Sequence, residues 1–278
     1  MRHPTTQAFT LIELLTVIAI IGILASLLAG GIAQAKGRAH SITCMNNQRQ
    51  LLVVWQKYAG DTDDRLVVNS NPVSNMTPLT TNFPWASSGT HQFYPSVTNE
   101  AFLTDPNYSA FAYAKLNPRL YRCAGIKHNI QGVPIIRTYS MNPYMGGRSS
   151  TWSAPTGFET YQRMNDITQP AERLVFSEMN PFIICTSAIR INSLQAETDT
   201  NSPAFGTIIS ADFATLPMFG HGRIGQISYA DGHVEPQKQQ TEEFTRTWPV
   251  DWLAFHSGLH SATNADALWY ANRLTRAR

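Results

Sequence analysis

Four polar residues in the C-terminal half of the chain are of the types that bind metal ions or exchange protons: Glu178, His221, Asp231 and His233. Carboxylates and imidazoles can together form a metal site or an acid–base pair. Asp231 and Gly232, however, stand between two arms of alternating apolar residues, which is typical of a two-residue hairpin turn. The turn accounts for Asp231 and the following strand for His233. We therefore keep His221, Asp231 and His233 only as candidate metal ligands that belong to no recognised motif.

A second acidic group, Asp61, Asp63 and Asp64, follows the end of a predicted N-terminal helix. Closely spaced carboxylates can bind calcium, but this segment lacks the glycine and the bidentate glutamate of an EF-hand loop. A solvated turn at the helix end is the preferred interpretation, and calcium is the one cofactor that the sequence leaves open. The chain also lacks the nucleophile elbow, the zinc-protease helix motif and the phosphate-binding glycine loop, so we expect no enzymatic activity.

Three cysteines, Cys44, Cys123 and Cys185, are too few and too widely spaced for a zinc finger or a disulfide scaffold. In an oxidising compartment the preferred pairing is Cys44 with Cys123, which would close a long loop and add a few kcal/mol of stability. Cys185 follows an apolar run and is expected to be a buried thiol. Three reduced cysteines are the alternative.

The element that must position Cys44 is a long N-terminal helix. Residues 14–33 carry no charge over 20 consecutive positions, which at about 1.5 Å per residue spans the roughly 30 Å core of a bilayer. An isolated carboxylate in a membrane helix costs about 2.5–3.5 kcal/mol, so Glu13 either has a specific partner or lies at the interface. A secretory signal cleaved after Ala35 is disfavoured, because the apolar region of a signal is usually only about 7–15 residues long.

The helix is predicted to continue beyond the apolar segment. Leu51, Leu52, Trp55 and Tyr58 recur at helical spacing and form one apolar stripe. The sequence therefore predicts one helix over residues 9–59, with a membrane-spanning first half and a second half packed on a head domain of residues 60–278.

The head is predicted to be rich in β-strands. Residues 137–141 and 173–177 have β-type composition, residues 226–235 form a hairpin, and residues 264–276 form a terminal helix. The expected fold class is α+β, with the long helix packed on an antiparallel sheet with long loops. Only 14% of residues are charged, against about 25% in typical soluble domains, which favours an exported domain. A net charge of +2 without a run of Lys or Arg gives no indication of nucleic-acid binding.

Residues 8–13, with the sequence AFTLIE, resemble the processing site of type IV prepilins and type II secretion pseudopilins. The resemblance implies a leader of residues 1–8, cleavage between Ala8 and Phe9 by a prepilin peptidase, and N-methylation of Phe9. It also implies that Glu13 pairs with the N-terminal amine of a neighbouring subunit and thereby sets the register of the filament. Ala8 stands where most family members have Gly.

His221 precedes Asp231 and Gly232 with nine residues between the histidine and the aspartate. This spacing resembles a pilin-like group of planctomycete and verrucomicrobial genomes that carries a C-terminal His-x9-Asp-Gly motif. Residues 44–47 and 138–142 are also similar to that group.

The resemblance implies a structural subunit of a type II secretion pseudopilus or type IV-like filament. The implied partners are the prepilin peptidase, other pilin or pseudopilin subunits, an inner-membrane platform protein and an assembly ATPase. The implied location is the inner membrane, with a single span and the head in the periplasm, and after assembly the filament or cell surface. The alternative is a membrane-anchored or secreted exoprotein with a glycan-binding or hydrolytic head.

Overall fold

The computed structural model describes residues 10–69, 83–87, 97–126, 129–130, 132–146, 155, 157–181, 184, 186–215, 217, 221, 223–241 and 263–277. The chain divides into two compact units, Met1–Ala39 and His40–Arg278. One long helix, α1 (Leu11–Asp61), contributes its first part to the first unit and its second part to the second. The predicted helix over residues 9–59 is thus confirmed, with its end two residues later.

The first part of α1 is apolar on all sides. Among the described residues, α1 is the helix long and apolar enough to cross a membrane, and its most apolar 18-residue window has a mean hydropathy of 2.6. None of that window is buried within the protein. A helix that is hydrophobic all round needs an apolar environment on every side, so this segment is compatible with a single-pass membrane anchor.

The second part of α1 is amphipathic and buries one face. Leu51, Leu52 and Trp55 are fully buried, whereas Val53 is 62% exposed. The predicted apolar stripe is therefore confirmed, although Tyr58 at its end is only half-buried. These side chains belong to the same hydrophobic core as the strands of the head.

The remaining elements of the second unit among the described residues are two helices, α2 (Ala101–Thr104) and α3 (Ala265–Leu274), and the strands β1 (Asn129–Ile130), β2 (Val133–Pro134), β3 (Tyr139–Met141), β4 (Leu174–Glu178), β5 (Ile191–Ala196), β6 (Ile208–Phe213), β7 (Ile224–Tyr229) and β8 (Val234–Lys238). Short 3₁₀ helices occupy Ala110–Ala114, Pro118–Tyr121, Met164–Asp166 and Pro170–Glu172.

The strands are antiparallel throughout the part of the chain that the structure describes. A four-stranded sheet has the order β3-β4-β7-β8, and β1-β2 and β5-β6 form separate two-stranded sheets. Every residue of β3 and β4 is buried, so these strands lie in the centre of the core. The architecture confirms the predicted α+β class.

The predicted hairpin is formed by β7 and β8, but its turn is longer than expected. Tyr229 donates its N–H to the carbonyl of His233 at 3.0 Å, and Gly232 donates back to the carbonyl of Tyr229 at 3.0 Å. The loop therefore has three residues, 230–232, instead of two. Gly232 has φ +103°, the left-handed conformation that closes a three-residue hairpin loop.

The predicted terminal helix is confirmed as α3. Asn264 caps it, because its side-chain oxygen accepts hydrogen bonds from the N–H groups of Asp266 and Ala267. Ala267, Ala271 and Leu274 are fully buried, and α3 packs against β6 and β4.

Two adjacent valines test whether the buried face of α1 holds the head together. Val54 is 6% exposed and Val53 is 62% exposed. We expect Val54→Ala to lower the free energy of unfolding by about 2 kcal/mol, from the loss of buried methyl groups and the cavity left behind. Val53→Ala is the matched control and should stay within about 0.5 kcal/mol of the native chain. Denaturant titration of the full chain in mild detergent measures both, and equal effects would contradict the burial pattern.

Candidate functional sites

Glu13 takes part in a reciprocal cap at the start of α1. Its Oε2 accepts hydrogen bonds from the backbone N–H of Thr10 at 2.9 Å and from the Thr10 hydroxyl at 2.7 Å, and Thr10 Oγ1 accepts from the Glu13 N–H at 3.3 Å. This is a capping box, in which an N-cap Thr and a Glu three residues later satisfy each other's backbone donors. The Thr-x-x-Glu spacing is its sequence signature, which our sequence analysis did not use. Ala8 and Phe9, the predicted cleavage and methylation positions, lie outside the described residues.

The acidic residues after α1 are engaged by neighbouring protein groups. Asp61 pairs with the ammonium of Lys57, the backbone carbonyl of Asp63 accepts from the guanidinium of Arg163 at 2.8 Å, and Asp64 Oδ2 accepts from the backbone N–H of Asn165 at 3.1 Å. These contacts agree with the interpretation of this segment as a turn at the helix end.

Asp231 and His233 form a local pair in the β7–β8 turn. Asp231 Oδ1 lies 2.6 Å from His233 Nδ1, and both side chains are partly exposed. The imidazole stacks on the ring of Tyr229, with the ring centres 4.3 Å apart. The turn thus uses both residues, and neither of them lies in the cluster that contains His221.

A buried cluster of potential metal ligands lies elsewhere in the second unit. The ligand atoms of Cys44, Cys123, Glu178 and His221 all lie within 4.8 Å of one another. Cys44 comes from α1, Cys123 follows the 3₁₀ helix Pro118–Tyr121, Glu178 ends β4, and His221 precedes β7. We refer to these four residues as the CCEH cluster. The sequence analysis named each of them but did not group them, because no spacing in the sequence links four separate segments.

The shortest contacts in the CCEH cluster converge on the His221 imidazole. Its Nε2 lies 2.9 Å from Cys123 Sγ and 3.5 Å from Glu178 Oε1. The other carboxylate oxygen, Glu178 Oε2, accepts from the backbone N–H of Gln226 at 3.4 Å. Glu178 Oε1 has no hydrogen-bond partner among the described residues, although the carboxylate is completely buried.

The cluster is an unfavourable environment for isolated charge. Burial raises the pKa of the Glu178 carboxyl and of the Cys123 thiol, since both groups lose hydration in their charged forms. Burial alone would lower the pKa of His221, but its hydrogen bonds to Cys44 and Glu178 and their negative charge outweigh burial and raise the pKa to about 10. The cluster therefore favours a positive charge at its centre.

The predicted Cys44–Cys123 disulfide is not formed in the structure. The two residues are brought together as predicted, but both are free, buried thiols. The physical reason is that the sulfurs share their site with a carboxylate and an imidazole, and Cys123 Sγ contacts His221 rather than bonding to Cys44. Cys185 lies outside the described residues.

Gly125 leaves room for the imidazole of the cluster. A Cβ at this position would lie 2.4 Å from His221 Cε1 and 2.9 Å from Nδ1, which is closer than real Cβ contacts. The backbone N–H of Gly125 also donates to Cys123 Sγ at 3.3 Å. Glycine is thus required here for a close approach between the loop and the ring.

Comparison with known proteins gives one family match. The family model of the prokaryotic N-terminal methylation motif matches residues 5–29, which include the AFTLIE segment and the first part of α1. No curated protein and no solved structure matches the chain. The match supports the prepilin-like character of the N-terminal region and, with the apolar helix, the assignment of the chain as a pilin-like or pseudopilin-like subunit.

Two glycine substitutions test the tight contact in the CCEH cluster. We expect Gly125→Ala to lower the free energy of unfolding by about 1–3 kcal/mol, because the new methyl group must displace the His221 ring. Gly60→Ala is the control, since nothing lies within 4 Å of a Cβ at this position in the last turn of α1. It should be neutral or stabilise by up to about 1 kcal/mol. Denaturant unfolding followed by circular dichroism measures both, and an unchanged Gly125→Ala variant would contradict the geometry.

Proposed function

We propose that this protein is a structural subunit of a type II secretion pseudopilus or a related type IV-like filament, rather than an enzyme. In this proposal it is cleaved between Ala8 and Phe9, methylated at Phe9, and held in the inner membrane by the first part of α1 until assembly. The observation that carries the proposal is the methylation motif over residues 5–29, continuous with an uncharged and unburied helix.

The exposed apolar surface of α1 supports both stages of this life cycle. Large side chains on every side of the segment, from Leu11 to Ile32, are exposed in the single chain. Exposed apolar area costs about 25 cal/mol per Å² in water, so the segment needs either lipid or other apolar helices around it. A membrane supplies the first environment, and the packed helices of a filament supply the second.

Glu13 has a role in both environments in our proposal. In the single chain its carboxylate is held by the Thr10 hydroxyl and N–H, which lowers the cost of keeping a charge beside an apolar segment. In the filament, the carboxylate pairs with the methylated N-terminal amine of a neighbouring subunit. Two charges that are each costly in an apolar environment then stabilise each other, which fixes the axial register of adjacent helices.

The remaining parts of the proposal follow from the same assignment. A prepilin peptidase processes the chain, a platform protein and an assembly ATPase move it into the filament, and other pilin or pseudopilin subunits surround its helix. The head lies in the periplasm and faces outward after assembly, in agreement with its low content of charged residues. The spacing of His221 and Asp231 supports a place in the narrower His-x9-Asp-Gly group.

The N-terminus of the protein recovered from its native membranes tests the processing step. We expect a chain that begins at N-methylated Phe9, detected by intact mass and by sequencing of the N-terminal peptide. A chain that begins at Lys36 would instead show ordinary secretion, and an intact Met1 would show a fixed signal anchor. Either of these two results would contradict the proposal.

A Glu13→Gln substitution tests the pairing of charges in the filament. Glutamine can still form the capping box with Thr10, so this variant removes the charge but keeps the start of the helix. We expect normal insertion into the membrane but loss of incorporation into sheared filaments, measured by immunoblotting of the membrane and filament fractions.

Ser26→Ala is the control for this experiment. It changes another polar side chain of the apolar segment, whose hydroxyl bonds only to the local carbonyl of Ile23, and should assemble normally. If Glu13→Gln assembled as well as Ser26→Ala, the register role of Glu13 would be wrong.

A further inference from the structure

The CCEH cluster is not explained by the filament function. Cys44, Cys123 and Glu178 are almost completely buried, and the His221 side chain is only 2% exposed. The N-terminal motif accounts for none of these residues, and none of them belongs to the β7–β8 turn. Burying two thiols, a carboxylate and an imidazole together is costly unless something compensates their polarity.

We propose that Cys44, Cys123, Glu178 and His221 together bind one Zn²⁺ ion as a structural site of the head. This inference goes beyond the filament function and does not depend on it.

The donor atoms fit zinc in type and number. Zinc in proteins is bound by cysteine sulfur, histidine nitrogen and carboxylate oxygen, usually by four ligands at the corners of a tetrahedron. Bond lengths of about 2.0–2.3 Å place neighbouring ligand atoms about 3.3–3.8 Å apart in that geometry. The measured separations, 2.9 Å from Cys123 Sγ to His221 Nε2 and 3.5 Å from Nε2 to Glu178 Oε1, require only small side-chain shifts to reach it.

The orientation of Glu178 points to an ion as the missing partner. Oε2 is held by the backbone N–H of Gln226, whereas Oε1 faces the cluster and has no hydrogen-bond partner among the described residues. An unpartnered carboxylate oxygen in the interior costs about 1–3 kcal/mol or more. A divalent cation between Oε1, the imidazole and the two sulfurs removes this cost, and its charge offsets those of two thiolates and a carboxylate. The protons of the two thiols are released to solvent when zinc binds.

The site is structural rather than catalytic in its design. Four protein ligands complete the zinc coordination and leave no position for water or substrate. The ligands come from α1, the loop after the 3₁₀ helix Pro118–Tyr121, β4 and the segment before β7. The ion therefore joins the helix to the sheet across segments that are far apart in the sequence, and such a link removes much of the freedom of the unfolded chain.

A disulfide between Cys44 and Cys123 explains fewer of these observations. It would join the two sulfurs but would leave the buried Glu178 and His221 without a group that uses their donor atoms. An approach for an ion also exists, because Cys123 lies in the wall of a cleft of about 560 Å³. The polar residues Thr43, Asn47, Arg119 and Arg122 line the same cleft.

The metal content of the native protein is the first test. The full-length chain is purified from membranes in mild detergent, without a polyhistidine tag and without chelator, and its metals are measured by inductively coupled plasma mass spectrometry. We expect one zinc per chain. We also expect Cys44 and Cys123 to resist alkylation until the protein is unfolded in the presence of a chelator, as shown by peptide mapping.

Two variants assign the zinc to the CCEH cluster. Glu178→Gln is nearly isosteric, so we expect it to fold, as checked by circular dichroism, but to lose most of its zinc during dialysis. His233→Ala is the matched control, because this imidazole is partly exposed and lies in the β7–β8 turn with Asp231. It should retain the full zinc content.

Several outcomes would overturn the proposal. A native chain without zinc, or a non-reduced digest in which Cys44 and Cys123 are joined by a disulfide, excludes the site. Equal zinc retention by Glu178→Gln and the native chain excludes Glu178 as a ligand, and loss of zinc from His233→Ala places the ion elsewhere. If Glu178→Gln does not fold, the zinc content and the alkylation pattern of the native chain decide the question by themselves.

Discussion

The second part of α1 provides one wall of the hydrophobic core, and the head depends on its burial. Leu51, Leu52 and Trp55 share that core with Phe176 of β4. A buried amide adds directionality to this packing, because the side chain of Gln48 donates to the backbone carbonyl of Gln226 in β7 at 2.8 Å. Apolar burial supplies most of the free energy of such contacts, whereas the hydrogen bond selects one alignment of the helix on the sheet.

One helix therefore meets two different physical demands along its length. Residues 14–33 are apolar on every side, which suits lipid or a bundle of similar helices. From His40 onward polar and apolar side chains alternate at helical spacing, so that Val53 is exposed while Val54 is buried. The periodicity changes where the requirement for an apolar surround ends and the requirement for a single buried face begins. This change explains how one element can serve both as an assembly segment and as part of a folded head.

The CCEH cluster adds a polar element to the same core. Apolar packing is not directional, and it does not by itself bring a helix, two loops and a strand to a single point. A metal ion does so, because its ligands must meet at fixed distances and angles. Gly125 contributes by leaving space for the His221 ring. A secreted or periplasmic head with few charged residues would thus obtain a rigid connection between α1 and the central sheet.

The features that depend on local order could be read from the sequence. Helical periodicity predicted α1 and its buried stripe, and a capping asparagine with an apolar face predicted α3. The AFTLIE segment pointed to the class of protein, which the match to residues 5–29 supports. In each case neighbouring residues along the chain carry the signal, because a helix, a cap and a processing site are each formed by short stretches of sequence.

The tertiary structure decided what depends on distant segments. It lengthened the β7–β8 turn to three residues around Gly232, and it separated His221 from Asp231 and His233, with which the sequence analysis had grouped it. It placed His221 with Cys44, Cys123 and Glu178 instead. No local pattern could predict this grouping, because residues between positions 44 and 221 become neighbours only when the helix packs on the sheet.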